Sequence, residues 1–453
     1  MADCSKIRIQ LRDGAIYASK QGDIIRARGV RYAKATRFQP PQPIKPWTDI
    51  VDCTSPASIC PQMPSRLEAL NGPVTTGHAM SEDCLHVSVC APATNLPETR
   101  PKTLLPVIAF LHGGGYTSGG GDLDVYSGAD LAAGGGVVHV GITYRLGILG
   151  YQPIQGTAPG NLGLLDQMAA LRWIRDNVSS FGGDAQQVTL AGASAGADSI
   201  YCLFAADGGG GESSLFQRAI LQSAPLGVRR MDRGAMVEAL DSAAQDALGG
   251  CCPAETATTP DELLQVQKKL ALASRSFEAL LMPFAPTLGH APLCISESEF
   301  TARVQRALTR IPLFIGYCRD EGVAFEAIFN GVHPDARPAI PTTASVVDFI
   351  SRSWFQDDAD RLWEQARDAG GDPWFYELAV APAKSPFKAA HTMEMAFILG
   401  GWDAWKDAPM LKGDDGEALV KNVGAEVKKL WVAFARGEDL GRTRFRIDEH
   451  FQI

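Results

Sequence analysis

No cluster of Lys and Arg occurs anywhere in the 453 residues, and the formal net charge is -9, which argues against non-specific nucleic-acid binding because that binding relies on grouped cations neutralising phosphates. No apolar run approaches the length that crosses a bilayer: stretches such as residues 107–111 and 430–435 are far too short. The first residues, MADCSKIRIQLRDG, lack the apolar core of an export signal, so the expected location is cytoplasmic. The ten cysteines form no C-x-x-C pair and no Cys/His cluster, which indicates neither a disulfide-framed miniprotein nor a zinc site, and no cofactor or metal is expected. Asn177-Val-Ser fits a glycosylation acceptor but falls at the end of a helical pattern, and it is discounted. No internal repeat is found. What the chain has is 45% hydrophobic and 21% charged residues, enough to bury a sizeable core, and the expectation is a single domain over 1–453 with insertions.

Short apolar runs alternate with helical patterns. Leu105–Leu111, 137–143, 188–192, 219–222 and 313–316 read as buried strands, and Leu164, Met168, Leu171, Ile174 and Val178 recur at helical spacing until Phe181-Gly-Gly ends the run. This alternation predicts an α/β fold with a mostly parallel sheet flanked by helices. The stretches 207–214 and 249–260 read as surface loops. Residues 228–310 and 325–385 are mainly helical in pattern, the second containing Trp354, Phe355, Trp363, Trp374 and Phe375, and are expected to form a cap.

Two motifs carry chemistry. Gly192-Ala193-Ser194-Ala195-Gly196 lies between a strand pattern and a helix pattern and matches the G-x-S-x-G elbow, where glycines allow a tight turn that exposes the Ser194 hydroxyl near a helix N-terminus. Alone it is weak, since chance supplies roughly one such match in four chains of this composition. Leu104 to Phe110 leads into His112-Gly113-Gly114-Gly115, the pattern of a loop whose backbone N–H groups approach an oxyanion unobstructed. A phosphate loop would want Lys and Ser or Thr after its glycines, and a dinucleotide site would want G-x-G-x-x-G opening a helix. Neither fits.

With these motifs in place the chain resembles the type-B carboxylesterases, which include cholinesterases and fungal lipases. The resemblance runs through Arg28-Gly-Val-Arg-Tyr-Ala, Ser81-Glu-Asp-Cys-Leu, Thr143-Tyr-Arg-Leu-Gly, Gly160-Asn-Leu-Gly-Leu-Leu-Asp-Gln, Phe216-Gln-Arg-Ala-Ile-Leu-Gln-Ser, Asp320-Glu-Gly and His391-Thr-Met-Glu. It implies an α/β-hydrolase fold, a small-molecule ester as substrate, Ser194 as nucleophile, His391 as general base and Glu321 as the acid orienting it. It also implies an oxyanion hole from the N–H groups of Gly114, Gly115 and Ala195. The chain order Ser, acid, His is the order of this fold, and His112 precedes the nucleophile.

Several positions depart from the family pattern. Ala193 stands where a Glu is usual, Thr392 stands where a Gly usually follows the base, and Glu321 and His391 are close in sequence, implying a reduced cap. Secreted members bridge the cysteines corresponding to Cys60 and Cys84. The stretch 61–83 contains no aromatic residue, so the aromatic face that holds choline in cholinesterases is missing from this loop. Competing readings are an acyltransferase or lactone-forming enzyme using the same triad, and a catalytically silent interaction protein, against which the intact Ser, His and Glu argue.

Overall fold

The computed structural model describes residues 4–95, 103–206, 214–229, 233–248, 259–277, 282–326, 329 and 345–453. The loop expectations at 207–214 and 249–260 lie almost wholly outside the described residues. The strands are β1 (Cys4–Gln10), β2 (Ala15–Gln21), β3 (Ile24–Arg31), β4 (Ala33–Lys34), β5 (Gln42–Pro43), β6 (Val51–Asp52) and β7 (His86–Pro92). They continue with β8 (Leu105–Leu111), β9 (Val138–Ile142), β10 (Gly183–Ala193), β11 (Arg218–Gln222), β12 (Leu313–Cys318), β13 (Trp374–Leu378) and β14 (Arg444–Ile447). One 12-stranded sheet runs β1-β2-β3-β7-β9-β8-β10-β11-β12-β13-β14, with β6 pairing β2, while β4 and β5 form a separate pair.

From β9 to β14 every pairing is parallel. β1, β2, β3 and β7 instead pair antiparallel, as do β7 and β9. The sheet is therefore mixed, and its parallel part carries the site. Sequence explains the division. β8 is buried at every position from Pro106 to Leu111, as a strand covered on both faces by helices must be. β3 alternates between buried and half-buried positions, the period-two signature of a sheet with one wetter face.

Helices Leu162–Asn177, Ala195–Ala206 and Gly416–Arg436 cover the parallel part, and Ala195–Ala206 is buried over nearly its whole length. The stretch 228–310 is helical over Gly234–Ala247, Pro260–Ala273 and Glu297–Leu308. Of the helical expectation for 325–385, positions 327–328 and 330–344 lie outside the described residues, and the rest needs one correction: Trp374 and Phe375 belong to β13, paired with β12. Their bulky aromatic rings suit a strand, and Gly370, Gly371 and Pro373 separate them from the preceding helix. The run 346–368 contains a π-helical turn over Ser351–Gln356, which buries Trp354 and Phe355. Family motifs distant from the site prove to be structural: Arg145 and Asp166 form a buried pair, with Nη2 to Oδ1 at 2.7 Å. No helix among the described residues is long and apolar enough to cross a membrane.

Candidate active site

Ser194 joins β10 to the helix Ala195–Ala206 with φ +54°, in the left-handed region that non-glycine residues rarely enter. The turn is held on both sides: the Ser194 N–H donates to the Gln222 carbonyl of β11 at 2.8 Å, and the Asp198 N–H donates to the Ser194 carbonyl at 3.0 Å. Gly196 is glycine because a Cβ there would lie 2.0 Å from the Leu111 carbonyl oxygen, so only a bare backbone lets this helix abut the end of β8.

The imidazole of His391 reaches this serine from the segment between β13 and the helix Met393–Ile398. His391 Nε2 lies 2.8 Å from Ser194 Oγ, and its Nδ1 lies 2.5 Å from Glu321 Oε2. Both His391 and Glu321 are fully buried. The second oxygen of Glu321 accepts the Cys318 N–H at 2.9 Å, so the carboxylate is fixed by its own turn after β12. Phe325 and Phe355 pack on the imidazole with centroid separations of 4.9 and 4.8 Å. Phe355 comes from the π-helical turn, which is tied to the turn carrying Glu321 by the Gly322 N–H donating to Ser351 Oγ at 2.8 Å. Thr392 follows His391 with φ +74°, a conformation that favours glycine, and its hydroxyl donates to Asn71 Oδ1 at 3.0 Å.

The glycine loop after β8 faces Ser194. Gly114 and Gly115 take φ +106° and +61° and line the same narrow cavity as Ser194. The N–H groups of Gly114, Gly115 and Ala195 donate to no other group among the described residues. His112 props this loop from behind: its Nδ1 meets the Gly113 carbonyl at 2.8 Å and its ring stacks on Tyr144 at 4.4 Å. Burial lowers its pKa to about 4, so it stays neutral. The rest of the described cavity wall comes from distant segments, with Arg66, Leu67, Pro225, Met282 and Phe325 among its residues. No motif marked these positions.

A second carboxylate lies behind the first. Glu394 Oε1 accepts the Ser223 hydroxyl at 2.8 Å, and Oε2 accepts the Cys318 thiol at 2.5 Å. Burial first, and then the neighbouring Glu321 charge, hold its carboxyl above the ordinary range. Cys60 and Cys84 are buried and unbridged. Among the described residues no group of three or more His, Cys, Asp and Glu side chains is arranged to hold a metal.

Residues 13–337 match the model of the carboxylesterase family. The chain belongs to this family. It is 35% identical over 424 residues to a probable N-octanoylanthranilate hydrolase of Rhodococcus erythropolis, covering 91% of this chain and 89% of the relative. It is 31% identical over 449 residues to the para-nitrobenzyl esterase of Bacillus subtilis, covering 93% and 88%. A solved PNB esterase superposes with a TM-score of 0.80 at 27% identity, covering 98% of this chain and 96% of the other. The fold is thus that of the α/β hydrolases and the protein is a carboxylic ester hydrolase.

Proposed function

We propose that this esterase works through an acyl-Ser194 intermediate. As Ser194 Oγ bonds to the carbonyl carbon, His391 Nε2 takes its proton, and Glu321 holds the Nδ1–H tautomer and stabilises the imidazolium. The oxygen of the tetrahedral intermediate receives the N–H groups of Gly114, Gly115 and Ala195, each worth about 10²- to 10³-fold in rate. Collapse breaks the bond to the alcohol, which leaves with the proton returned from His391 Nε2. Water then loses a proton to the same nitrogen, attacks the acyl carbon and releases the acid and Ser194. The observation that carries this reading is the unbroken hydrogen-bonded chain from Ser194 Oγ through His391 to Glu321. A fluorophosphonate should label Ser194, and Ser194→Ala should abolish labelling and lower turnover of 4-nitrophenyl butyrate at least about 10³-fold. A label mapped to another serine, or unchanged turnover, refutes the assignment.

The relative named for hydrolysis of an N-acyl anthranilate favours a second activity at the same serine, cleavage of an aryl amide, in which His391 protonates the departing amine. Incubation with N-octanoylanthranilate and detection of released anthranilate tests it. No release above the Ser194→Ala background excludes it.

A further inference from the structure

We propose that this active site selects substrates bearing an anionic group, a carboxylate above all, beside the scissile acyl bond, and that Arg66 receives that group. The proposal deepens the reading of Ser194 as nucleophile and rests on it.

The cavity holding Ser194, Gly114 and Gly115 is otherwise walled mainly by Leu67, Pro225, Met282 and Phe325, and among its described lining residues Arg66 alone carries a charge. Arg66 keeps substantial solvent exposure, so a substrate entering the cleft meets it. A guanidinium presents five N–H donors in one plane and can take a carboxylate through two of them while keeping other contacts. Apolar neighbours lower the local dielectric and strengthen such a pair. The segment carrying Arg66 is also anchored to the catalytic side, because Asn71 at the end of the next short helix accepts the hydroxyl of Thr392, the residue after His391.

The wall behind Met282 has the same sign. Arg233, 9% exposed, donates to the carbonyls of Met282 at 2.7 Å and Ala285 at 3.3 Å, and its Nε meets no hydrogen-bond partner among the described residues. The nearby carboxylate, Asp198, is already gripped by Arg229 Nε at 2.6 Å and by the Tyr116 hydroxyl at 2.6 Å. With Asp198 held by Arg229, Arg233 has no carboxylate partner of its own among the described residues. The whole chain, at -9, repels anions at long range, so a preference for anions must arise locally, at Arg66 with Arg233 behind it.

The test compares kcat/KM for charged and neutral partners of one shape in the full-length enzyme. 3-Acetoxybenzoate against 3-acetoxybenzamide probes the alcohol side, and ethyl 4-carboxybenzoate against ethyl 4-carbamoylbenzoate probes the acyl side. In the native enzyme at least one anion should be preferred about threefold or more, as expected of a charge-assisted pair at a guanidinium that keeps solvent contact. Arg66→Gln should bring that ratio to about one, and Arg66→Lys should retain most of it, with melting temperatures confirming that both variants fold. Ratios at or below one in both pairs of the native enzyme, or an anion preference unchanged in Arg66→Gln, overturn the proposal. Turnover of 4-nitrophenyl butyrate through Ser194 without any anion preference overturns the Arg66 proposal alone, whereas absence of Ser194-dependent turnover of that ester overturns the nucleophile reading beneath it.

Discussion

His112 and His391 both have no exposed surface, and each imidazole lies against aromatic rings: Tyr144 at 4.4 Å for the first, Phe355 at 4.8 Å and Phe325 at 4.9 Å for the second. Their partners differ. His112 meets one backbone carbonyl, its Nε2 has no partner among the described residues, and no carboxylate compensates a charge. Burial therefore keeps it neutral, as a rigid prop under the glycine loop. His391 has a hydroxyl on one nitrogen and a carboxylate on the other, so it can accept a proton and hold it. In the proposed mechanism a buried ring becomes a base through its two partners and not through its burial.

The largest expected effect comes from removing the difference. Glu321→Gln keeps the shape but takes away the charge that supports the imidazolium, and kcat should fall by about 10⁴-fold, the scale of an isosteric change at this position of a triad. The adjacent Asp320 acts differently. Its Oδ2 accepts the Ala389 N–H at 3.2 Å, two residues before His391, so it shapes the loop without touching the imidazole. An amide oxygen can accept the same bond, so Asp320→Asn should lose less than about tenfold. Steady-state kinetics on 4-nitrophenyl butyrate would measure both, and equal losses would mean that Glu321 contributes no more than a turn.

A smaller effect isolates His112 through pH. The unfolded chain protonates this histidine below about pH 6.5. The folded protein does so only near pH 4, because burial opposes the charge. The stability this lowered pKa contributes is complete above pH 6.5 and declines as pH falls towards 4, by at most about 3 kcal/mol. His112→Gln removes that titration, and its amide can still donate to the Gly113 carbonyl. The loss of melting temperature between pH 7 and pH 4.5 should be smaller in the variant than in the native protein. His86 and His139, also lowered by burial to about 4 and about 3, titrate in both proteins and cancel. An identical acid loss would show that His112 is charged already in the folded state.

How much of this was legible in the sequence follows from how each part is made. Ser194 and the glycine loop were readable because backbone geometry demands glycine at fixed offsets, as Gly196 against the Leu111 carbonyl illustrates. Glu321 and His391 carry no such local demand and are proposed from family motifs. The antiparallel strands β1 and β3 escape the sequence reading because alternation over a few residues with Lys6, Arg8 and Arg26 among them gives a weaker signal than the unbroken apolar run of β8. Trp374 and Phe375 were placed with helices because an apolar pair has no period of its own. The cavity wall was illegible for a deeper reason: Arg66, Pro225, Met282 and Phe325 come from four separate segments and meet only through the fold. Chemistry common to a family is written in contiguous motifs, while the choice of substrate is spread over single side chains.

The residues after the two histidines give the smallest and most specific test of that comparison. Gly113 is glycine for room, since a Cβ there would sit 2.9 Å from the Ala193 carbonyl oxygen. Position 392 needs glycine for conformation, yet carries a β-branched residue at φ +74°. A left-handed L-residue costs about 1 to 2 kcal/mol, and the bond from the Thr392 hydroxyl to Asn71 offsets about 1 kcal/mol of that. Thr392→Gly releases the strain, loses the bond and adds about 0.5 to 1 kcal/mol of freedom to the unfolded chain, so its stability should stay within about 1 kcal/mol of the native value. Thr392→Ala keeps most of the strain and loses the bond, and should be less stable by about 1 kcal/mol. Urea unfolding of the three proteins orders them. Native and alanine variants of equal stability would show that the tie to Asn71 contributes nothing, and a glycine variant weakened by more than about 2 kcal/mol would show that the left-handed turn holds no strain to release.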